Sequence, residues 1–136
     1  IVERKVMRLT GESARAKELF EEGEFILAKT DLTMAATPKQ LYDRWQRAVK
    51  KGYKQKINID EYWEGLIIGT AIDLKEKIKK TSSIDKRNRL VARWREDFDA
   101  YLLKSDCSLK IQQLLENKTS ELKDVAKINY IAIEEI

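Results

Sequence analysis

The chain has 136 residues and a formal net charge of +4, and 37% of its residues are charged. A single Cys excludes an intramolecular disulfide and a cysteine-based zinc site, and the lack of His removes the commonest general base and nitrogen metal ligand. One Pro and five Gly leave few helix breakers, so the composition favours one all-helical domain.

The N-terminal part is predicted to form two helices. Residues 2–9 form a short helix that ends near Thr10-Gly11, and a second helix runs over residues 12–29. Gly23 lies inside the second helix, where it costs roughly 1 kcal/mol relative to Ala and marks a candidate kink.

The third predicted helix has the clearest boundary signals. Thr37 is a good N-cap, Pro38 suits the first helical position, and Gln40 completes a capping box. Gly52 is a natural terminator, because glycine readily adopts the left-handed conformation that ends many helices. We therefore predict a helix between Pro38 and Gly52.

This third helix is predicted to carry a basic ridge. Its apolar residues Leu41, Trp45, Ala48 and Val49 recur at helical spacing and form one stripe, with most basic side chains opposite. Residues 39–56 have a net charge of +6. The basic ridge consists of Lys39, Arg44, Arg47, Lys50, Lys51, Lys54 and Lys56.

Two longer helices are predicted next, over residues 58–80 and 82–104. The first begins at Asn58, where Glu61 completes a second capping box, and the other follows a turn at residues 81–83 in which a serine serves as N-cap. The later helix carries basic side chains at i, i+3 and i+7, which places them on one flank. This flank consists of Lys86, Arg89 and Arg93.

The C-terminal part is predicted to form two short elements. A sixth helix covers residues 109–117, and Thr119 or Ser120 caps a last element over residues 121–136. The end of this element is apolar nearly all round. The alternating pattern of side chains allows a strand there, but a buried helix agrees better with the helical character of the rest of the chain.

The predicted fold is all-α, a helical bundle with an N-terminal helical arm. Residues 1–136 are expected to form a single domain, in which residues 1–56 are the basic arm and residues 57–136 the bundle. No stretch approaches 18 consecutive apolar residues, so we expect no transmembrane segment, and no signal peptide is visible. The expected location is the cytoplasm unless the protein belongs to a virion, and secretion is not expected.

No residue pattern in the chain is typical of an enzyme. It has no phosphate-binding glycine loop, dinucleotide fingerprint or serine nucleophile elbow. Neighbouring carboxylates such as Glu21 and Glu22 diverge on a helix and cannot share a metal ion. Cys107 has only Lys104 or Lys110 nearby as an activating base, so we expect an inert, half-buried thiol. The protein is predicted to have no enzymatic activity, catalytic residue, metal, cofactor or small-molecule substrate.

The charge is segregated into blocks, and this pattern favours nucleic-acid binding. Residues 75–95 hold nine basic side chains against two acidic ones, whereas residues 18–31, 57–74 and 96–136 each have a net charge of −4. Basic helix faces neutralise phosphates without reading bases, and a merely soluble surface would mix the two signs. The predicted phosphate contacts are Arg4, Lys5, Arg8, the seven residues of the basic ridge, Lys86, Arg89 and Arg93.

One short stretch resembles a viral protein family. Residues 40–50 contain a Tyr-x-x-Trp pair, Tyr42 and Trp45, followed by basic residues. This resembles an early helix of the coat (major capsid) proteins of rod-shaped and filamentous archaeal viruses. The size, the helical content and a composition typical of proteins from hyperthermophiles are also similar.

The resemblance implies a helical filament in which the N-terminal arm wraps double-stranded DNA held in the A form, while the bundle faces outward. It assigns packing to Tyr42 and Trp45. It assigns phosphate contact to Arg44, Arg47, Lys50 and Lys51. It further implies assembly into a homo-oligomer or with a closely related coat subunit, where avidity makes weak contacts sufficient. The apolar end, residues 130–136, would contact a subunit or an envelope.

Three functions are compatible with these patterns. The first is a structural protein that coats or packages double-stranded DNA through sequence-independent phosphate contacts and self-assembles. The second is a small helical subunit of a ribonucleoprotein or defence complex. The third is a protein–protein adaptor with an acidic partner, in which Gly65 and Gly69 within the acidic segment 57–74 form a flat contact face. DNA is favoured over RNA only by the resemblance, because recognition of the 2′-hydroxyl leaves no such motif.

Overall fold

A computed structural model describes the backbone of residues 2–128 and the side chains of residues 14–128. All elements in this range are helical, as predicted: α1 (Val2–Thr33), α2 (Pro38–Lys50), α3 (Ile59–Lys80), α4 (Ile84–Tyr101), a 3₁₀ turn η1 (Leu103–Ser105) and α5 (Leu109–Lys127). The predicted all-α class is therefore confirmed. The apolar C-terminal end, for which a buried helix was predicted, lies outside the described residues.

The chain forms two compact units that divide between Met34 and Ala35. The first contains α1, and the second contains α2 to α5. From the sequence, α2 is predicted to belong to an arm that ends at residue 56. In the structure α2 belongs to the bundle instead, because Leu41 and Trp45 bury their side chains where α2 packs on α4, α3 and η1.

Helices α2 to α5 enclose one apolar core, in which α5 packs against both α3 and α4. Trp63 and Phe98 lie fully inside it with their rings edge to face and their centroids 6.0 Å apart. The ring centroids of Trp94 and Phe98 lie 5.0 Å apart. The indole N–H of Trp94 donates to the hydroxyl of Thr70 at 2.9 Å. Because Trp45 is buried as well, all three tryptophans stabilise the bundle.

Side-chain caps set the starts of three helices, and two of these are α2 and α4. The backbone N–H of Gln40 donates to the Thr37 hydroxyl at 3.2 Å, and the Gln40 side chain accepts from the N–H of Ala36 at 2.9 Å. Ser83 caps α4 in the same way, with the N–H of Lys86 donating to its hydroxyl at 3.3 Å. Both starts lie where the sequence predicts them.

The end of α2 is a Schellman motif. Gly52 has a φ of 87°, a backbone angle that residues with a Cβ adopt only with strain. The N–H of Tyr53 then donates to the carbonyl of Ala48 at 3.0 Å. The next helix, α3, begins after Asn58, whose side chain accepts from the N–H of Asp60 at 3.2 Å.

Four predicted helix boundaries are wrong. α1 ends at Thr33, four residues beyond the predicted end at residue 29. α1 is continuous through Gly11, because one glycine costs only about 1 kcal/mol in a helix of 32 residues. α5 is continuous through Thr119, whose hydroxyl donates to the carbonyl of Leu115 at 2.7 Å and accepts from Arg95 at 3.1 Å. This hydroxyl therefore bonds to the preceding turn of its own helix and to Arg95 on α4, and it does not cap a helix start. α4 ends at Tyr101, where the backbone tightens into η1.

Arg87 joins three helices at one end of the bundle. Its side chain is fully buried, its Nε donates to the carbonyl of Thr81 at 2.6 Å, and its Nη1 donates to the carbonyls of Ala126 and Ile128. The start of α4 therefore lies beside the ends of α3 and α5. This end, around the α3–α4 turn, is named the turn end.

The opposite end of the bundle brings together the starts of α3 and α5. The backbone N–H of Ser108 donates to the carboxylate of Asp60 at 2.9 Å. Lys54, which follows α2, forms an ion pair with Asp106 at 3.4 Å. This end, near the C-terminus of α2, is named the α2 end.

Candidate nucleic-acid interface

The basic ridge lies on the solvent-facing side of α2. On the opposite face of this helix Leu41 and Ala48 are only 1% and 2% exposed, which fixes how the helix is rotated. Lys39, Lys50 and Lys51 are exposed and form no ion pair with any residue that the structure describes. Their charges are therefore available to an anionic partner.

The other members of the basic ridge differ in environment. Arg44 is half-buried, whereas Arg47 and Lys56 are exposed. Lys54 is paired with Asp106, but both side chains are more than half exposed. Such a surface ion pair contributes little free energy, so Lys54 can exchange its carboxylate for a phosphate.

The α4 flank forms a second basic surface. Lys86, Arg89 and Arg93 are all exposed, and at 100° per residue they fall within about 60° of one another around α4. Lys77 and Lys80 in the last turn of α3 are exposed at the same turn end. These two lysines belong to the same basic block but are not among the predicted phosphate contacts.

Four of the nine basic residues between positions 75 and 95 are engaged within the protein. Arg87 is buried under carbonyl oxygens, and Arg95 is hydrogen-bonded to two carboxylates and a hydroxyl. Lys75 and Lys79 lie 4.0 and 3.5 Å from glutamate oxygens. The net charge of this block therefore overstates the charge that its surface offers to a ligand.

Arg95 connects α4 to α5 through a half-buried ion-pair network. Its guanidinium donates to Glu116 on α5, to Asp99 on α4 and to the Thr119 hydroxyl. The hydrogen bond from Arg95 lowers the pKa of Glu116, and the same contact raises the pKa of Arg95. This network holds two helices together and does not contribute to the basic surfaces.

The two basic surfaces lie toward different ends of the bundle. The basic ridge ends at the α2 end, beside Asp106, whereas the α4 flank begins at the turn end. α3 connects the two ends, and its 22 residues span about 33 Å. Arg4, Lys5 and Arg8 lie on α1, and their side chains are outside the part that the structure describes.

Cys107 has the environment of an unreactive thiol. Its Sγ donates to the carbonyl of Leu102 at 3.3 Å. Burial, followed by the nearby negative charge of Asp60, raises the pKa of the thiol, which disfavours the nucleophilic thiolate at neutral pH. Within the described residues, no three Cys, Asp or Glu side chains are placed to hold a metal ion.

No protein-family model, curated protein or solved structure matches the chain. Within residues 2–128, none of the helices has the length and apolar character needed to cross a membrane.

Proposed function

We propose that this protein is a structural, non-enzymatic protein that coats double-stranded DNA through sequence-independent phosphate contacts and assembles with further copies of itself. The observation that carries the proposal is the basic ridge, where Lys39 and Lys50 on α2 and Lys51 at its C-cap have no ion-pair partners among the described residues. Ammonium groups attract phosphates through charge, and they carry no base sequence information.

The surroundings of the basic ridge favour a duplex as the ligand. Proteins that hold single strands usually stack bases on exposed aromatic rings. Trp45, the tryptophan of α2, is 2% exposed, and Tyr42 packs against Tyr101 with ring centroids 5.5 Å apart. Charge without an exposed tryptophan is better suited to the backbone of a double helix.

A coat also explains why weak contacts suffice. Each copy contributes a few phosphate contacts, and many copies along one polymer bind with high avidity. The resemblance of residues 40–50 to coat proteins of filamentous archaeal viruses supports a place in a virus capsid, with the virion as the location. In that setting the apolar segment 130–136, which lies outside the described residues, contacts another subunit or an envelope.

The proposal is tested by neutralising the basic ridge and comparing two unrelated duplexes of equal length. We expect the triple variant Lys50→Gln, Lys51→Gln and Lys56→Gln to bind both duplexes roughly tenfold or more weakly, with no change in the preference between them. The control neutralises three exposed lysines scattered over α5, Lys110, Lys123 and Lys127, and so matches the change in net charge. Equal affinities of the ridge variant and the parent would overturn the proposal.

A further inference from the structure

α1 exposes an apolar strip that DNA binding does not explain. Phe20 and Leu27 on α1 and Met34 directly after it are 65%, 68% and 70% exposed, and they lie seven residues apart. Leu19 and Ile26, the residues immediately before the first two, repeat the same interval and are also exposed. Apolar side chains in such a row are costly to leave in water.

The row belongs to a longer repeat along α1, which we name the α1 seam. Starting at residue 2, every position reached by alternating steps of four and three is uncharged. These positions are Val2, Val6, Leu9, Ser13, Ala16, Phe20, Gly23, Leu27, Thr30 and Met34. This is the heptad spacing by which two helices pair along their length.

The charges beside the α1 seam select an antiparallel pair of identical helices. Residues 2–17 have a net charge of +3, whereas residues 18–31 have a net charge of −4. In a parallel pair, halves of like charge would lie side by side. In an antiparallel pair the basic half of each helix lies beside the acidic half of the other.

The register of the α1 seam is also self-complementary. When two antiparallel copies are centred on residue 18, position 16 lies opposite position 20, position 13 opposite position 23, and position 9 opposite position 27. Each seam position then meets another seam position. The small Ala16 faces the large Phe20 of the partner subunit, the alternation of sizes that lets facing side chains interdigitate.

We propose that α1 pairs with α1 of a second copy of this chain, antiparallel and centred on residue 18, through the α1 seam. The pairing does not depend on DNA, and it supplies a defined homodimer from which a larger assembly can grow.

The mass of the purified full-length chain in solution tests the pairing. Sedimentation equilibrium is expected to give about twice the 15.9 kDa of one chain. The variant Phe20→Ser with Leu27→Ser is expected to halve the measured mass, with the helical circular dichroism of the bundle retained. A matched control, Ile72→Ser with Leu109→Ser, removes two apolar side chains that are similarly exposed on α3 and α5 and is expected to remain dimeric. A monomeric parent at about 100 µM, or a control that dissociates equally, would overturn the proposal.

The direction of the pair is tested by a distance between spin labels. Cys107 is replaced by Ser, and one label is attached at Lys29→Cys, an exposed position on α1. In an antiparallel pair centred on residue 18, the two labels lie about 33 Å apart along the axis. A separation of about 10–15 Å would indicate a parallel pair and contradict the proposed arrangement.

Failure of the pairing and failure of DNA coating give different results. A monomeric parent that still binds duplex DNA rejects the α1 pair and leaves the proposed function standing. A dimer that binds no DNA rejects the proposed function and leaves the α1 pair standing.

Discussion

Replacing Arg87 with Met removes the group that connects the ends of α3 and α5 to the start of α4. The side chain is 0% exposed and donates to the carbonyls of Thr81, Ala126 and Ile128, the first at 2.6 Å. A hydrogen bond from a charged donor contributes about 1.5–3 kcal/mol, and a buried carbonyl that loses its partner costs about 1–3 kcal/mol. Relief of the desolvation of the buried charge offsets part of this loss, so we expect a net destabilisation of about 3 kcal/mol.

The assay is urea unfolding followed by the fluorescence of the buried tryptophans. A loss of about 3 kcal/mol also lowers the Tm of a bundle of about 100 residues by about 14 °C. Arg89→Met is the matched control, because Arg89 is exposed only two residues away, and it is expected to change stability by less than about 0.5 kcal/mol. An Arg87→Met protein within about 1 kcal/mol of the parent would show that this interpretation of the buried guanidinium is mistaken.

Three further results are expected. Cys107 should react with a disulfide reagent with a midpoint above pH 8.5, the ordinary thiol value, because burial and Asp60 raise its pKa; a midpoint below 8.5 would refute this. Glu116 has a lowered pKa in the folded state, so its contribution to stability is present above its unfolded pKa of about 4.3 and is lost as the pH falls through the folded value. The Tm difference between the parent and Glu116→Gln should therefore close below about pH 4, and a constant difference down to pH 2 would contradict it. Gly52→Ala should destabilise the protein by about 1 kcal/mol in urea unfolding, because Gly52 has a φ of 87°; an unchanged midpoint would argue against strain there.

Helix ends with local signals could be predicted from the sequence. Thr37, Gly52 and Ser83 act through hydrogen bonds or backbone angles within a few residues of their own position, so their neighbours in the sequence contain the information. The outward position of Lys50 and Lys51 also followed from the spacing of the apolar residues on the same helix.

Features that depend on other helices could not be predicted in this way. Thr119 resembles a helix cap in sequence, yet in the folded protein its hydroxyl accepts from Arg95 on a neighbouring helix. Arg87 and Lys75 were counted within the basic block 75–95, because nothing in the sequence places the carbonyl of Ala126 or a glutamate beside them. The net positive charge of the basic block is therefore larger than the positive charge that its surface exposes to a ligand.

The α1 seam is a different case, since its signal was present in the sequence. Its heptad spacing was obscured by the predicted break at Thr10-Gly11, which divided one helix into two short ones. Once α1 is continuous from Val2 to Thr33, the repeat extends over the whole helix.

The salt dependence of binding to random-sequence duplex DNA tests the proposed function most directly. The measurement compares labelled duplex with single-stranded DNA and RNA of equal length over a range of salt concentrations. If the basic ridge binds phosphates, the logarithm of the affinity for duplex should fall with the logarithm of salt at a slope of about −4 to −6, at roughly −0.9 per phosphate neutralised, and equally for unrelated sequences. Absent binding, or an affinity independent of salt, would contradict the account.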